Sequence, residues 1–435
     1  MNIQNKIAPH IIETVDKLQS AGYETYIVGG AVRDSILDRT PKDYDISTAA
    51  TPNQICKVFG HRDSMIVGKR FRLVHLRHGR EIIEISTFRK EPDTKGIPAG
   101  HRHAPPPENM IFRDNEFGSS EEDAWRRDFT VNALFYDPVA DKILDYTGLG
   151  LDDIKNGVVR AIGDPALRFE EDPVRILRAL KLVGQYAFKP DPITDDAIRM
   201  NLNLITHAST SRLSLELEKI LKNAYSGKII TAFHEYGFLR YYLPFLDANW
   251  DTEACRYAIA LLTEKNARLR AGYYRDSISL AVAVLTLPFV EYEIGENTPG
   301  GLWENVRGIG WELKNVMTKV LSPRQIIKRI SASALKMLMM QPAFKEGRKL
   351  GSLFTSQSYA HGRELMVIQN EVNWHIDGIE DRWPEQSHHH EEKKHGGKKD
   401  RRKRGRRDRY SGKHRNGNNK PAPDFVDDLT EGTEL

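Results

Sequence analysis

Residues 23–34 read Tyr-Glu-Thr-Tyr-Ile-Val-Gly-Gly-Ala-Val-Arg-Asp, an apolar run that stops at two glycines and continues with helix-compatible residues. Its β-branched and aromatic side chains predict a buried strand over 23–28 that ends in a tight turn. The next residues, 31–37, predict a helix. The free N–H groups of the turn and the positive end of the helix dipole would then converge on one place, which favours the binding of phosphate oxygens.

The glycines and the arginine within this stretch have separate predicted roles. Gly29 and Gly30 let the backbone come close to a ligand, because they carry no side chain. Arg33 adds a fork-shaped donor that suits phosphate. A pair of glycines alone is usually only a turn, so this motif gains meaning from the carboxylates that lie close to it in the sequence.

Two carboxylates come nine residues later, in the segment Asp43-Tyr44-Asp45-Ile46 after Pro41. This segment predicts a second strand, and residues i and i+2 of a strand share a face. Two aspartates that face each other without a counter-ion raise one another's pKa. Hard oxygen ligands on one face suit Mg²⁺ that bridges substrate phosphates. By itself, an Asp-x-Asp pattern is also typical of a solvated strand end or a helix cap.

A third carboxylate is available on a predicted strand over 81–88. Glu84 lies inside the apolar part of this strand, where burying a charge is costly unless the charge is paired or bound to a metal. Glu81 lies at the edge of the strand and is the weaker candidate. The order and spacing of the glycine turn and these carboxylates together predict nucleotidyl transfer.

These motifs resemble the head-domain signature of the class II nucleotidyltransferases of the polymerase β superfamily, which are the bacterial poly(A) polymerases and the tRNA CCA-adding enzymes. The resemblance covers residues 22 to about 245, roughly half the chain. Three further motifs come in the family's order: Arg-Arg-Asp-Phe-Thr-Val-Asn-Ala-Leu at 126–134, Asp145-Tyr146 with Gly148, and Glu-Asp-Pro-Val-Arg-Ile-Leu-Arg-Ala at 171–179. The resemblance implies an α+β fold, with a polymerase β-like head built on a mixed sheet and an all-α neck and body.

The resemblance also implies roles for four acidic residues. Asp43, Asp45 and Glu84 would bind two Mg²⁺ ions, with Mn²⁺ as an alternative, and would act as the catalytic carboxylates together with Asp128. Asp128 would reach the ribose or support the site. The alternative for Asp128 is a helix cap, since it precedes a run that begins with Phe129.

The nucleotide-binding set comes from the same resemblance. Asp172 and Arg175, at i and i+3 of a helix that begins near Pro173, would read the incoming base, and their alternative is an intrahelical ion pair. Arg126 and Arg127 would contact the nucleotide and its phosphates. The nucleotide-binding residues implied in this way are Gly29, Gly30, Arg33, Asp34, Arg126, Arg127, Asp172, Arg175 and Arg178.

Residues 66–76 favour one member of the family over another. They resemble the segment that separates bacterial poly(A) polymerases from their CCA-adding relatives, although a β-hairpin with exposed basic residues would look the same. We therefore expect an enzyme that adds AMP from ATP to RNA 3′ ends. The alternatives are tRNA CCA addition and, from another class, an inactive RNA-binding adaptor built on this fold. Retention of the carboxylates argues against the adaptor.

Composition agrees with a reducing, aqueous compartment. The chain has 435 residues, of which 40% are hydrophobic, and its two cysteines allow no disulfide framework. The longest apolar stretch, 278–287, is followed by Pro288 and is too short to span a bilayer. The N-terminus lacks an apolar signal core. We expect a cytoplasmic protein that does not associate with a membrane.

Charge divides the chain unevenly. Residues 393–420 contain fourteen Lys or Arg and two Asp, a net charge of +12, which leaves −8 for the rest of a chain whose total is +4. This tail has few apolar residues, so it cannot bury enough surface to offset its ordering entropy, and we expect it to be disordered and to attract RNA phosphate.

The change from strand patterns to helical patterns predicts how the chain is organised. We expect a long mobile loop over 90–120. The predicted divisions are a nucleotidyltransferase head at 1–160, a helical neck at 161–245, a helical body at 246–383 and a disordered basic tail with an acidic end at 384–435. The expected partners are the 3′ ends of mRNA, sRNA or tRNA, ATP and proteins of RNA degradation, and we expect the enzyme to be a monomer.

Overall fold

A computed structural model of the chain describes residues 3–68, 72–79, 81–90, 116–295 and 308–385. Most of the predicted 90–120 loop lies outside these residues, and so does the predicted tail from residue 386 onward. In the first part of the chain, helices and strands are mixed. Its elements are α1 (Pro9–Ser20), β1 (Thr25–Val28), α2 (Gly30–Ile36), β2 (Asp45–Thr48), α3 (Pro52–Phe59), β3 (Ser64–Val67), β4 (Leu73–His78), β5 (Glu81–Thr87), α4 (Ser120–Trp125), β6 (Leu134–Asp137), β7 (Lys142–Asp145), α5 (Gly150–Asn156) and β8 (Val158–Val159).

Seven of these strands form one mixed sheet. Its strand order is β3-β4-β5-β2-β1-β6-β7, and every neighbouring pair is antiparallel except β2 with β5. The predicted mixed sheet is therefore confirmed. Strands β3 and β4 form the hairpin that is the alternative interpretation of residues 66–76, and its tip at 69–71 lies outside the described residues.

The register of the sheet separates a core face from a polar face. Ile27, Ile46 and Ile85 pair across three neighbouring strands and are fully buried. Helix α1 contributes Ile11 and Val15 to the same hydrophobic cluster. Because successive residues of a strand point to opposite faces, the residues next to these isoleucines lie on the other face.

The rest of the described chain is almost entirely helical, as predicted. A short parallel pair joins β8 to β9 (Lys189–Pro190). The helices are α6 (Pro165–Glu171), α7 (Val174–Tyr186), α8 (Pro192–Asn201), α9 (Thr210–Leu221), α10 (Ser226–Glu235), α11 (Leu239–Tyr242), α12 (Pro244–Ala248), α13 (Glu253–Arg270), α14 (Ile278–Val290), α15 (Ile309–Leu321), α16 (Lys328–Glu346), α17 (Tyr359–Gln369) and α18 (Ile379–Arg382). The expected divisions at 160, 245 and 383 stay predictions.

Helix α14 forms the centre of the helical part. Every residue from Leu280 to Val290 is buried, and the helix packs against α13 and α16. Together with a π-helical turn at Glu291–Gly295, it makes one segment that is long and apolar enough to cross a membrane by length and composition alone. Its burial within the protein indicates a core helix instead.

Candidate active site

The glycine turn brings two distant motifs together. Gly29 has a φ of +72°, which favours glycine, and helix α2 begins at the next residue. A Cβ at Gly29 would lie 3.2 Å from Nη1 of Arg127. The Gly29 N–H donates to the carbonyl of Leu134 over 3.2 Å. Positive φ and the close approach of Arg127 thus explain why a glycine stands at this position.

The two central carboxylates lie on neighbouring strands in register. Asp45 on β2 is paired directly with Glu84 on the parallel strand β5, so both side chains are on the polar face of the sheet. His75 on β4 is the next residue across, and its Nε2 lies 3.6 Å from Oε1 of Glu84. This register brings Asp45 and Glu84 together, and their role as metal ligands stays a prediction. Glu81 is three residues away, faces the other side and lies 2.9 Å from His10.

Two details of the sequence interpretation were wrong. Asp43 lies in a bend before β2, not in the strand, so the shared-face argument does not apply to the pair Asp43 and Asp45. Glu84 is not buried, since about half of its side chain is exposed (53%). Local apolar neighbours predicted burial, but Glu84 lies on the face of β5 opposite to buried Ile83 and Ile85.

Electrostatics at Asp45 indicate a site with excess negative charge. Although Asp45 reaches solvent, partial removal from water raises its pKa, and repulsion from Glu84 and Asp43 acts in the same direction. Arg127 and Lys219 oppose this shift in pKa without cancelling it. The face therefore carries carboxylate charge that a divalent cation would neutralise.

The donor set fits a hard divalent cation. Asp43, Asp45 and Glu84 offer carboxylate oxygens, which Mg²⁺ prefers. Within the residues that the structure describes, no three acidic, histidine or cysteine side chains are already gathered closely enough to hold an ion. The fit lies in the kind of donors and in the polar face of the sheet that Asp45 and Glu84 share.

Arg33 is engaged with protein groups rather than with open solvent. It is only 8% exposed, donates to Asp34 over 2.8 and 3.0 Å, and donates to the hydroxyl of Tyr186 over 2.6 Å. It also donates to Asn132 Oδ1, and its guanidinium lies 4.4 Å from the centre of the Tyr186 ring. Arg33 and Asp34 thus join α2 to α7, and their predicted nucleotide contacts stay predictions.

Arg127 lies between the glycine turn and β2, the strand that carries Asp45. It makes an ion pair with Asp123 at 2.8 Å and donates to the carbonyl of Asn132 over 3.3 Å and to Ser47 over 3.4 Å. Ser47 is two residues after Asp45 on β2. The predicted role of Arg127 at the nucleotide phosphates stays a prediction.

Arg126 and Arg127 are also held through their backbone. The carbonyls of both residues accept hydrogen bonds from Arg168 Nη2, over 2.7 and 3.3 Å. Arg168 is buried in α6 and pairs with Glu171 at 3.1 Å. Sequence reasoning missed both Arg168 and Glu171, although their spacing of i and i+3 before the Asp-Pro pair is a usable signal.

Asp128 is the acceptor for two arginines of α7. Its carboxylate accepts from Arg175 Nε over 3.0 Å and from Arg178 Nη1 over 2.6 Å. Burial alone would raise the pKa of Asp128, but the charges of Arg178 and Arg175 outweigh it and hold that pKa well below its usual range. The alternative of a helix cap is wrong, because the next turn begins with Phe129 and receives no cap from a side chain.

Asp172 and Arg175 do not pair with each other. Asp172 instead accepts two hydrogen bonds from Arg212 of α9, over 2.8 and 2.7 Å, in a bidentate pair. Arg175 is 8% exposed and donates from Nη1 to Glu171 over 2.9 Å, in addition to its bond with Asp128. The alternative of an intrahelical ion pair is therefore wrong, while the helix does begin beside Pro173 as predicted.

Comparison with known proteins agrees with this geometry. The family model described as "Poly A polymerase head domain" matches residues 25–160, and the one described as "Probable RNA and SrmB- binding site of polymerase A" matches residues 187–249. Poly(A) polymerase I of Escherichia coli O157:H7 is 31% identical over 374 residues, which is 84% of this chain and 79% of that protein. The chain belongs to the family of poly(A) polymerases and CCA-adding enzymes. It is a nucleotidyltransferase.

Other members of the family are similar over shorter segments or in fold alone. The CCA-adding enzyme of Geobacillus sp. is 36% identical over 256 residues, which is 58% of this chain and 59% of that enzyme. A tRNA nucleotidyltransferase complexed with a primer tRNA and an incoming ATP analog has the same fold, with a TM-score of 0.53, 22% identity, and 83% and 96% of the two chains covered. The Bacillus stearothermophilus CCA-adding enzyme in complex with CTP has a TM-score of 0.50 at 22% identity, over 84% and 83% of the chains.

In this family member, two neck helices carry charged side chains at helical spacing. Burial and the nearby cations of Lys219, Arg33 and Arg178 lower the pKa of Lys181, while Glu216 opposes that shift. Mutual repulsion of cations in a half-buried place suits an anionic ligand. Sequence reasoning missed most of this set, although charges at i, i+3 and i+6 on α7 and at i, i+4 and i+7 on α9 are a recognisable signal. The residues are Arg175, Arg178 and Lys181 on α7, and Arg212, Glu216 and Lys219 on α9.

Proposed function

We propose that the protein is an RNA adenylyltransferase that adds AMP from ATP to RNA 3′ ends, with Mg²⁺ as its metal. The observation that carries this choice is the extent of the similarity to Escherichia coli poly(A) polymerase I, which includes 84% of this chain and 79% of that enzyme. Three similar CCA-adding enzymes match only about half of this chain, at 47–58%. Similarity to poly(A) polymerase therefore continues into the helical body.

The carboxylate face supplies the catalytic groups. Asp43, Asp45 and Glu84 would hold the metal on the polar face of the sheet, where β2 and β5 pair. Bound Mg²⁺ supplies Lewis-acid chemistry, which activates the RNA 3′-hydroxyl and stabilises charge on the departing pyrophosphate. The charge distribution supports this role, since Glu84 and Asp43 both repel the carboxylate of Asp45.

The cationic side of the site supports triphosphate binding. Arg127 lies beside Gly29 and beside Ser47 of β2, the strand that carries Asp45. Lys181 on α7 and Lys219 on α9 face this region. Lys219 interacts electrostatically with Asp45. Lys181 interacts electrostatically with Arg33 and Arg178. A triphosphate placed between these groups would meet donors on one side and metal-binding carboxylates on the other.

The base-reading groups are held in restricted orientations. Arg175 uses Nε and Nη1 for Asp128 and Glu171, which leaves Nη2 as its donor toward a base. Asp172 is held by both terminal nitrogens of Arg212. Fixed hydrogen-bonding groups discriminate by leaving unpaired polar atoms against the wrong base, which favours selection of a single nucleotide.

The second candidate is addition of CCA to tRNA. It is favoured by the identity of the three CCA-adding enzymes, which at 36–38% over the shorter matched segments is higher than the 31% of poly(A) polymerase I. The inactive adaptor has no observation in its favour. In cells, we propose that the protein acts as a cytoplasmic monomer on mRNA, sRNA or tRNA ends, together with proteins of RNA degradation.

The test offers each nucleoside triphosphate separately with an unstructured RNA and with tRNA that lacks its CCA end. We expect ATP to be incorporated far more efficiently than CTP on the unstructured RNA, with repeated addition. Efficient use of CTP on tRNA that ends at its discriminator base, followed by one A, would replace the first candidate by the second. A protein with Asp45→Asn serves as the control for contaminating polymerases.

A further inference from the structure

One carboxylate in the helical body contacts cations from distant parts of the chain. Asp276 lies in the loop between α13 and α14, and its Oδ2 is 3.2 Å from Lys42 Nζ and 3.9 Å from Lys222 Nζ. Lys42 immediately precedes Asp43, and Lys222 directly follows α9. The side chain of Asp276 is only 19% exposed. This loop residue is therefore in contact with the segment that carries the catalytic carboxylates.

The position of Asp276 is set by contacts of its neighbours. Tyr274 donates from its hydroxyl to the carbonyl of Lys265 over 2.9 Å, which holds the loop against α13. On the other side, Ser277 caps α14 by accepting from the N–H of Leu280. The residue two positions before Asp276 and the residue directly after it are thus fixed, and its carboxylate has little freedom to follow Lys42.

A buried cation also attracts the carboxylate of Asp276. Lys265 is fully buried and donates to the carbonyl of Leu221 over 2.8 Å. Burial lowers the pKa of Lys265 to about 8, and attraction to Asp276 opposes this shift. The Oδ1 atom of Asp276 is buried and has no hydrogen-bond partner among the described residues. Its contacts with cations, including the hydrogen bond that Oδ2 accepts from Lys42, thus account for a carboxylate at this position.

Lys42, by contrast, is free to move. Its side chain is 66% exposed, so no packing determines where the ammonium group lies. A lysine next to Asp43, and three residues before Asp45, could pair with either carboxylate and occupy the place of a divalent cation. The cations that act on Asp45 are Arg127 and Lys219, whereas Lys42 is directed to Asp276.

We propose that Asp276 is a positioning residue that holds the Lys42 ammonium away from Asp43 and Asp45, and so keeps the metal-binding carboxylates available. The inference rests on the metal-dependent nucleotidyl transfer proposed above, and not on the choice between ATP and CTP. Without the charge of Asp276, Lys42 competes with the metal for the catalytic carboxylates. Metal binding then becomes weaker, although no metal ligand has changed.

The experiment measures Mn²⁺ binding to the nucleotide-free protein, by electron paramagnetic resonance of the free ion. Asp276→Asn keeps the shape of the side chain and removes its charge. We expect it to weaken Mn²⁺ binding about twofold to fivefold, the range of partly exposed ion pairs. Lys42→Ala should bind Mn²⁺ like the wild type, and the double variant Lys42→Ala with Asp276→Asn should also recover wild-type binding. Glu346→Gln, which removes the charge of an exposed ion pair with Arg348, is the matched control and should change nothing.

Two results would overturn the proposal. Unchanged Mn²⁺ binding in Asp276→Asn would show that Lys42 does not compete with the metal. If Asp276→Asn weakens Mn²⁺ binding equally in the wild-type and the Lys42→Ala background, Asp276 acts through another group. Because Mn²⁺ binding is measured without a nucleotide, it is independent of which nucleotide the enzyme incorporates. Absence of Mn²⁺ binding in the wild type, in contrast, would contradict the proposed metal site itself.

A folding defect can be separated from this effect. If Asp276→Asn does not fold by circular dichroism, the cause is the buried Lys265, which has then lost its counter-charge. Lys265→Met combined with Asp276→Asn removes that buried cation and keeps a similar volume. The combined variant should fold and show the same weakened Mn²⁺ binding, and adding Lys42→Ala should restore it. Wild-type binding in the combined variant would count against the proposal.

Discussion

At the scale of single residues, Asp45 carries the main electrostatic consequence of the fold. It lies directly opposite Glu84, and both Glu84 and Asp43 repel its charge. The raised pKa means that the folded protein binds this proton more tightly than the unfolded chain does. The ionised carboxylate therefore destabilises the metal-free protein at neutral pH, and the effect disappears as the pH falls below the ordinary carboxyl pKa.

The direction of this pKa shift leads to a prediction about stability. In metal-free protein at pH 7, Asp45→Asn should increase the free energy of unfolding, by less than about 1 kcal/mol because solvent screens the exposed side chain. At about pH 2 to 3, below the ordinary carboxyl pKa, the gain should be nearly absent, since the wild-type carboxyl is then mostly protonated in both states. Urea unfolding of both proteins at the two pH values measures this. A variant that is less stable than the wild type at pH 7 would contradict the assigned direction of the pKa shift.

The same residues determine activity. Asp43→Ala and Asp45→Ala should each reduce nucleotide incorporation by at least about a hundredfold, because they remove metal ligands that stabilise charge in the transition state. Glu84→Ala should have a smaller effect, since its side chain is half exposed and lies beside His75. Magnesium-dependent labelling of an RNA 3′ end is the measurement, with unchanged circular dichroism as the control. Normal activity of both aspartate variants would rule out this site.

At the scale of elements, α7 shows what a sequence can and cannot reveal. Its start beside Pro173 and its buried apolar side were predictable, because capping and the 3.6-residue period are local properties. The partners of its charged side were not, since Asp128 lies 47 residues before Arg175. The parallel pairing of β2 with β5 was equally inaccessible, and it alone establishes that Asp45 and Glu84 are neighbours.

The bidentate pair between α9 and the start of α7 leads to the next prediction. Arg212→Ala should free Asp172 and so reduce the preference for one nucleotide. The ion pair between Arg212 and Asp172 is partly exposed, so its loss should lower the free energy of unfolding by only about 1 kcal/mol. Arg175→Ala should instead destabilise the protein by about 1–3 kcal/mol, because Asp128 and Glu171 each lose one buried hydrogen-bond donor and keep only Arg178 and Arg168 as partners.

Competition between ATP and CTP, combined with urea unfolding, distinguishes the two variants. The preference of the Arg212→Ala protein for ATP over CTP should fall, and its midpoint of urea unfolding should change little. An unchanged preference in Arg212→Ala would mean that Asp172 does not need Arg212 in order to read the base. Arg199→Ala, which breaks an exposed ion pair on α8, is a suitable control.

At the scale of the whole molecule, side chains of the first part of the chain stack with those of the helical part. The guanidinium groups of Arg33 and Arg39 lie 4.4 and 4.5 Å from the ring centre of Tyr186 on α7. Those of Arg39 and Arg270 lie 5.2 and 5.0 Å from the ring centre of Tyr225. Alternating cations and rings thus connect the glycine turn to α13, which adds to the ion pair between Lys42 and Asp276. Contacts of this range are invisible to a local pattern.

The basic tail provides the last prediction, which depends on composition alone. A protein that ends at about residue 384 should keep its active site, because all the catalytic motifs precede residue 180 and a segment poor in apolar residues contributes little packing. It should bind RNA more weakly and add fewer nucleotides per encounter, since fourteen tethered cations raise the local concentration of RNA and delay its release. The difference should be largest at low salt and shrink as salt rises, because screening removes the same contribution from the full chain. RNA-binding curves of both proteins across a salt series test this, and curves that superimpose at low salt would show that the tail does not act through RNA phosphate.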